Sequence, residues 1–161
     1  KYLNFKKIIK NGSLNYLPIT DKRMTRFWMT LQQSVDFVLN CADLMRGGET
    51  FIPKLKSVKI TDLVKVMGPD KKIKLIGIRP GEKIHESLTT LSNDYLTLEF
   101  KKHYVVMPST SANIEKKYYT KNKNGEKGKF VKKGFEYKYS NYDYAWRERY
   151  YCTIFNGKKD F

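Results

Sequence analysis

The sequence predicts an α/β fold from three features of its apolar patterning. Residues 73–78 begin as an alternation of apolar and basic side chains, which is typical of a strand. Pro80-Gly81 then marks a turn, and good helix formers follow it, with carboxylates near the start where the helix dipole favours them. Segments that begin near Thr30 and Thr61 carry apolar residues at helical spacing. Together these features place strands and helices in one chain.

The N-terminal third is expected to hold a short helix, an extended segment and a longer helix. Asn11-Gly12 ends the first helix, whose apolar positions are Tyr2, Leu3, Phe5, Ile8 and Ile9. Residues 14–19 are predicted to be extended and limited by Pro18, and residues 21–28 form a basic and aromatic loop or strand.

The longer helix begins at Thr30, which forms a capping box with Gln33. Gly47-Gly48 ends it. Cys41 borders its apolar stripe and is interpreted as a small packed residue. The stripe consists of Leu31, Val35, Val38, Leu39, Ala42 and Met45.

Further elements are predicted between residues 51 and 108. The first is a short strand at Phe51-Ile52 that Pro53 stops. A helix follows that is capped by Thr61-Asp62 and ends at Gly68-Pro69, with Leu63, Val64 and Met67 as its apolar positions. Another helix begins at about Lys83, and one or two strands run from Leu96 to Val106 and end at Pro108. His103 is expected at the surface. Residues 121–129 contain no apolar side chain and are expected to form a mobile loop.

The length leaves room for one domain with a core. The apolar pattern dissolves from Ser109, so we expect a lobe at residues 1–110 and a basic, Tyr- and Lys-rich tail at 111–161 that is partly irregular. The chain opens on Lys1 without a methionine, which we interpret as the mark of a fragment. No apolar run approaches the ~18 residues that span a membrane. Cys41 and Cys152 form no metal or disulfide framework, so the expected compartment is the cytoplasm.

The net charge of +16 permits two interpretations. Residues 101–161 carry 15 basic and 6 acidic groups together with nine of the twelve tyrosines, a mixture that stacks on and neutralises single-stranded nucleic acid. A/T-rich codons would also enrich the chain in Lys, Asn, Tyr, Ile and Phe. The lysines are scattered and not clustered in a stripe, so nucleic acid is not the expected partner. A small basic nucleic-acid-binding protein stays as an alternative.

The turn at residues 79–82 has the chemistry of a nucleotide site. The planar fork of an arginine donates two parallel hydrogen bonds and suits a diphosphate. An ionised carboxylate only accepts hydrogen bonds and suits paired sugar hydroxyls. A surface turn with a solvated ion pair has the same residues, and chemistry alone leaves both interpretations open.

Four segments of the chain resemble one family. Arg79-Pro-Gly-Glu-Lys-Ile-His-Glu86 and Leu17-Pro-Ile-Thr-Asp-Lys-Arg-Met-Thr-Arg-Phe-Trp-Met-Thr30 resemble two signatures of the nucleotide-sugar 4,6-dehydratases, in the extended short-chain dehydrogenase/reductase family. Between these signatures, Met45–Lys54 and Lys59–Leu63 also resemble the family. The chain is most similar to the inverting UDP-N-acetylglucosamine 4,6-dehydratases of the CapD-like polysaccharide-biosynthesis group. The resemblance covers about residues 1–110.

The resemblance implies a C-terminal substrate-binding lobe whose N-terminal Rossmann half, with NADP and the catalytic residues, is missing. The parent would be a lyase that converts UDP-N-acetylglucosamine to a 4-keto-6-deoxy sugar nucleotide for surface polysaccharide or flagellin glycan. It would be a cytoplasmic homo-oligomer without a membrane segment. This fragment alone is predicted to be inactive. A lobe of a UDP-sugar 4-epimerase is the alternative within the family, because the motifs are widely shared.

Carried over residue by residue, the resemblance assigns Arg79 to the UDP diphosphate and Glu82 to the uridine ribose hydroxyls. Arg23 and Arg26 match the earlier arginines, of which at least one should reach the phosphates, with a structural ion pair as the alternative for Arg26. No catalytic residue and no metal ligand is expected. His85 and Glu86 match the signature and are expected to be structural, capping the turn. The chain departs from the family at Gln32-Gln33, where acidic residues are usual.

Overall fold

The computed structural model describes residues 7, 9–12, 14–109 and 119–138. The elements, in order, are β1 (Tyr16–Ile19), β2 (Thr25–Trp28), α1 (Leu31–Leu44), β3 (Thr50–Pro53), β4 (Lys56–Lys59), α2 (Ile60–Met67), β5 (Lys72–Leu75), a 3-10 helix (Leu91–Leu96), β6 (Thr97–Glu99), β7 (His103–Val106) and β8 (Lys129–Phe130). The predicted α/β class is therefore confirmed.

The described residues form two compact units. The first draws on the residues up to Trp28 and on Lys56–Glu86, and the second on Met29–Leu55 and Ser87–Lys138. The domain boundary predicted near residue 110 falls in 110–118, outside the described ranges, and stays a prediction.

The first unit combines two strand pairs with one helix. β1 pairs with β5 in parallel, and β2 pairs with β4 in antiparallel orientation. The predicted apolar positions of α2, Leu63, Val64 and Met67, are all buried, which confirms its amphipathic pattern. Burying each large apolar side chain contributes about 1.5–3 kcal/mol. The core consists of Leu17, Ile19, Met24, Ile60, Leu63, Val64 and Met67.

The second unit is built on an antiparallel sheet in the order β3-β7-β6-β8. The strands predicted between Leu96 and Val106 are confirmed as β6 and β7, and Leu98 lies in the core. In β7 the buried core residue is Val105, whereas Val106, which the predicted alternation included, is only partly buried. β3 runs through Pro53, which pairs with His103 at the end of the strand. The core consists of Leu96, Leu98, Phe100, Val105, Met107 and Tyr119.

The capping box of α1 is confirmed, but its apolar stripe lies on the opposite side from the core. Thr30 Oγ1 accepts from the Gln33 N–H at 3.2 Å, and Gln33 Oε1 accepts from the Thr30 N–H at 2.9 Å. Gln33 thus has a capping role, which a glutamate at this position would also fill. The stripe residues are exposed, whereas Leu44 is buried and Phe37 and Cys41 are half-buried.

Two helix predictions needed correction. α2 begins at Ile60 with Lys59 at the N-cap, so Thr61-Asp62 lies inside the first turn and does not cap the helix. The helix predicted from Lys83 is absent from residues 83–90. The carbonyl of Ile84 instead accepts from the Thr25 N–H at 3.1 Å, so tertiary hydrogen bonds override the local helix propensity.

The loop predicted at residues 121–129 is a hydrogen-bonded hairpin. The Asn122 N–H donates to the Glu126 carbonyl, and Asn122 Oδ1 accepts from the Glu126 N–H, both at 2.9 Å. Gly125, with φ +85°, supplies the positive φ at the tip. Asn and Gly organise this turn, because an Asn side chain mimics backbone hydrogen bonding.

His103 is also corrected, since it lies in the interior and not at the surface. It is 3% exposed and stacks on Phe100 with ring centroids 5.0 Å apart. Burial lowers the pKa of His103, an effect that nearby Glu126 opposes and Lys54 reinforces.

At the N-terminus, residues 9–11 are helical and Gly12 follows with φ +60°, as predicted for the end of the first helix. The other apolar positions predicted for that helix, the tail tyrosines beyond Tyr137, and Cys152 lie outside the described residues.

Candidate functional site

The parallel pair β1–β5 brings two predicted site segments to one edge of the first unit. Ile19 pairs with Leu75, and the Ile76 N–H donates to the Ile19 carbonyl at 2.9 Å beyond the strand ends. Parallel strands have their carboxyl ends at the same edge, which is the usual position of ligand sites in α/β proteins. The segment with Arg23 and the segment with Arg79 and Glu82 both leave from this edge.

Arg79 and Glu82 flank a tight turn. The Glu82 N–H donates to the Arg79 carbonyl at 3.0 Å, and the Arg79 N–H donates to Glu82 Oε2 at 3.4 Å. Pro80 stands at the second position and Gly81, with φ +75°, at the third, which is the pattern of a type II turn. The turn predicted from Pro80-Gly81 is therefore confirmed.

The Arg79 side chain is exposed, and its guanidinium makes no hydrogen bond or ion pair with any residue that the structure describes. All five N–H donors of this fork are therefore available to a ligand. An uncommitted arginine at the carboxyl edge of parallel strands is suited to bind a phosphate through two parallel hydrogen bonds.

Arg26 has a different environment, because its guanidinium donates to backbone carbonyls. Nη1 donates to the carbonyls of Thr25 at 2.6 Å and Ile84 at 3.1 Å, and Nη2 donates to the carbonyl of Lys83 at 3.0 Å. The side chain is 20% exposed. Arg26 thus ties β2 to the segment that follows the turn. The structural alternative weighed for it was an ion pair with a carboxylate, and its guanidinium does lie 3.9 Å from Glu82 and 3.7 Å from Glu86. Its predicted contact with substrate stays a prediction.

Glu82 is held beside Arg26. Its Oε1 lies 3.9 Å from Arg26 Nη2, and the carboxylate is mostly shielded from solvent, with 14% of the side chain exposed. The two oxygens of Glu82 thus have different neighbours, because Oε1 faces Arg26 and Oε2 faces the Arg79 N–H, and these contacts fix the orientation of the carboxylate. Such a group is able to accept hydrogen bonds from a pair of neighbouring hydroxyls.

Arg23 lies in solvent and is paired with Asp21. Its Nε and Nη2 donate to the two carboxylate oxygens of Asp21 at 3.0 and 2.8 Å, and 69% of the side chain is exposed. These hydrogen bonds from Arg23, with one from its backbone N–H, lower the pKa of Asp21 to about 2. A phosphate bound by Arg23 would have to share the fork with Asp21.

His85 and Glu86 contact Thr25 and Arg26 of β2, and not the turn that they were expected to cap. His85 Nδ1 lies 2.8 Å from Thr25 Oγ1, and Glu86 Oε1 lies 3.7 Å from Arg26 Nε. Thr25 is almost fully buried, and sequence reasoning missed its part in the site. Its place directly before Arg26 in the second signature was the signal that could have revealed it.

The described residues do not fit a dinucleotide cofactor. A dinucleotide fold requires a strand, a glycine-rich turn and then a helix whose N-terminus faces the pyrophosphate. β1 leads into β2, and β5 leads into the Arg79–Glu82 turn with no helix behind it.

Within the described ranges, no cluster of three His, Cys, Asp or Glu side chains forms a metal site. Nor does any helix there have the length and apolarity to cross a membrane.

Comparison with known proteins identifies relatives over nearly the whole chain. The sequence profile of the family described as polysaccharide biosynthesis protein matches residues 3–108. A UDP-N-acetylglucosamine 4,6-dehydratase (inverting) from Campylobacter jejuni is 43% identical over 157 residues, covering 98% of this chain and 47% of that relative. The similarity therefore continues beyond residue 110, and the chain spans about half the length of this relative.

Two further matches are more limited. A UDP-glucose 4-epimerase from Rickettsia akari is 42% identical over 86 residues, which cover 51% of this chain and 25% of that enzyme. The solved structure of Pen from Bacillus thuringiensis superposes with a TM-score of 0.65 at 28% identity, over 84% of this chain and 39% of that chain.

Proposed function

The chain belongs to the family described as polysaccharide biosynthesis protein, and from that premise we propose that it is the UDP-sugar-binding portion of a nucleotide-sugar 4,6-dehydratase. The substrate is UDP-N-acetylglucosamine, and the product is a 4-keto-6-deoxy sugar nucleotide for surface polysaccharide or flagellin glycan. The identity of 43% over 98% of the chain to an inverting dehydratase carries this proposal.

In this proposal, the edge of the first unit binds the nucleotide part of the substrate. Arg79 presents its uncommitted fork to the diphosphate, which matches the fork in geometry and charge. Glu82, oriented by Arg26 and by the Arg79 N–H, accepts hydrogen bonds from the ribose hydroxyls. Arg23 adds a second phosphate contact from its exposed position.

The chemistry of the reaction is assigned to a further half of the protein. The described residues do not fit NADP, so we assign NADP and the catalytic acid and base to a Rossmann half that this chain does not contain. This chain alone is then inactive and contributes binding and orientation. We further propose that the whole enzyme belongs to the extended short-chain dehydrogenase/reductase family and is cytoplasmic and homo-oligomeric.

A lobe of a UDP-sugar 4-epimerase is the second candidate. Its support is the shorter match to the Rickettsia enzyme, which covers half of this chain. The same nucleotide contacts serve both enzymes, because both bind a UDP-sugar. The nucleic-acid alternative is weakened by Tyr137, a tyrosine of the tail that is fully buried and not available for base stacking.

A hybrid enzyme tests the proposal. The part of the Campylobacter dehydratase that precedes its match to this chain is joined to residues 1–161 and incubated with UDP-N-acetylglucosamine and NADP. We expect a 4-keto-6-deoxy product from the hybrid, and none from either part alone. Interconversion of UDP-glucose and UDP-galactose without dehydration would favour the epimerase, and a hybrid that folds and binds no UDP-sugar would refute both.

A further inference from the structure

Thr25 carries a buried hydroxyl that contacts the segment after the Arg79–Glu82 turn. It is the first residue of β2 and is 1% exposed. Its Oγ1 lies 2.8 Å from Nδ1 of His85, and either atom donates according to the tautomer of the imidazole. Burying a hydroxyl costs free energy unless it is hydrogen-bonded. Valine has nearly the same shape without this cost, so the hydroxyl of Thr25 is explained by its bond to His85.

Thr25 and its neighbour Arg26 contact each residue of the segment 82–86, which contains no helix. Along the segment, Arg26 contacts Glu82 and Lys83, both residues contact Ile84, Thr25 contacts His85, and Arg26 contacts Glu86. Because the segment lacks the internal backbone hydrogen bonds of a helix, its position depends on these contacts from β2.

The carboxylate of Glu82 depends on how this segment is held. Its Oε1 lies 3.9 Å from Arg26 Nη2, and its Oε2 accepts from the Arg79 N–H at 3.4 Å. Both distances are longer than those of strong hydrogen bonds, so these contacts persist only while the backbone of the segment stays in place. The Thr25–His85 bond is short and has a buried partner, and it restrains the segment three residues beyond Glu82.

We propose that Thr25 and His85 act together as a positioning pair that places Glu82 for ribose recognition. The pair does not touch the substrate. It holds the carboxylate where both ribose hydroxyls can donate to it, and it thereby sets the preference of the site for a nucleotide with an intact ribose. The inference rests on the proposed function for the ligand, and on the contacts between β2 and residues 82–86 for the positioning.

The preference for ribose follows from the geometry that two hydrogen bonds require. A binding group has to be held within about 0.5 Å of its productive position by the residues that support it. A carboxylate that moves further loses at least one of the two hydroxyls, because hydrogen bonds weaken steeply outside their normal geometry. Arg79 precedes the turn and lies outside the segment that β2 holds, so the diphosphate contact should not depend on the pair.

The test compares two nucleotides on the hybrid enzyme. UDP and 2′,3′-dideoxyuridine diphosphate are titrated in calorimetry, and the ratio of their affinities measures ribose recognition alone. We expect the wild-type hybrid to prefer UDP about tenfold or more, since hydrogen bonds to a carboxylate are charge-assisted. Thr25→Val should lower this preference about threefold or more and change the affinity for the dideoxynucleotide less than about twofold.

Three variants separate positioning from general stability. Thr25→Ser retains the hydroxyl and should keep the preference. His85→Leu should reproduce the effect of Thr25→Val, and the double variant should lose no more than either single variant, because the two residues act as a unit. Thr20→Val is the matched control, since it deletes another buried hydroxyl of the same unit, one that donates to Met24 Sδ at 2.8 Å. It should leave the preference unchanged.

An unchanged preference in both Thr25→Val and His85→Leu would overturn the inference, as would an equal loss of affinity for the two nucleotides. A comparable loss of preference in Thr20→Val would also overturn it. In each of these cases the wild-type hybrid still binds UDP, so the proposed function would stand. A wild-type hybrid that binds no UDP-sugar would refute the proposed function and the inference together. His85 is exposed, so His85→Leu should fold even if Thr25→Val does not.

Discussion

The guanidinium of Arg26 donates to the carbonyl of Ile84 at 3.1 Å, across 58 residues of sequence. This bond joins β2 to the segment after the Arg79–Glu82 turn, in which no helix forms. The carbonyls that a helix would use internally are instead satisfied by Arg26 and by the Thr25 N–H. Residues of the signature at 17–30 therefore position the signature at 79–86.

Replacing Arg26 should destabilise the first unit. Arg26→Ala removes the side-chain donor to the carbonyl of Lys83 and one of the two donors to the carbonyl of Ile84, which keeps the Thr25 N–H. A typical hydrogen bond contributes about 0.5–1.5 kcal/mol. The measurement is the free energy of unfolding from urea titration. Arg23→Ala is the matched control, because Arg23 is exposed and its ion pair with Asp21 is screened by solvent. Equal losses in the two variants would contradict the positioning role.

The hydroxyl of Tyr137 should be a main support of the second unit. It accepts from the Leu55 N–H at 2.6 Å and donates to the Leu55 carbonyl at 3.0 Å, and the side chain is fully buried. Tyr137→Phe removes both bonds and leaves two backbone groups unpaired. We expect a loss of about 1–3 kcal/mol in the free energy of unfolding.

Tyr95→Phe is the control for this loss, since Tyr95 is 61% exposed and the same deletion there should have little effect. If Tyr137→Phe unfolded at the wild-type urea concentration, the Leu55 pairing would be energetically unimportant. Tyr137 would then have no more than a packing role.

Much of this fold follows from local sequence. The capping box, the Pro80-Gly81 turn and the buried face of α2 depend on residues a few positions apart, and the structure confirms them. The missing helix after Lys83 could not be foreseen, because the competing bonds come from Thr25 and Arg26, far away in sequence. The site contacts of Arg79 and Glu82 with substrate stay predictions.

The exposed apolar stripe of α1 shows a second limit of sequence reasoning. Periodicity identifies an apolar stripe, but it does not say whether the partner of that stripe lies within the chain. His103 shows a third limit. A single histidine within a short strand has no pattern of its own, and the stacking against Phe100 that buries it depends on the packing of the sheet.

The stability of the second unit should fall as the solution is acidified through the histidine range. Burial lowers the folded-state pKa of His103 below its ordinary value of 6.5. Below that value the unfolded chain binds the proton first, so the free energy of unfolding decreases until the folded-state pKa is passed. The contribution is complete above about pH 6.5 and declines by at most about 1.4 kcal/mol per pH unit below it.

The measurement is urea unfolding at a series of pH values between about 7.5 and about 5.5. His103→Gln should remove the decline, whereas His85→Gln, which leaves His103 as the only histidine, should keep it. A decline of equal slope in His103→Gln would show that other groups are responsible.

The most direct test of the central claim is the titration of UDP against the hybrid enzyme carrying Arg79→Lys. Lysine keeps the charge but loses the fork, and a charged hydrogen bond contributes about 1.5–3 kcal/mol, so UDP affinity should fall roughly tenfold to a hundredfold. Glu82→Gln should have a smaller effect, and Lys22→Gln, an exposed charge beside Arg23, should have almost none. NADP affinity should be unchanged in all three. Unchanged UDP affinity in Arg79→Lys, or an equal loss of NADP affinity, would contradict the assignment of Arg79 to the diphosphate.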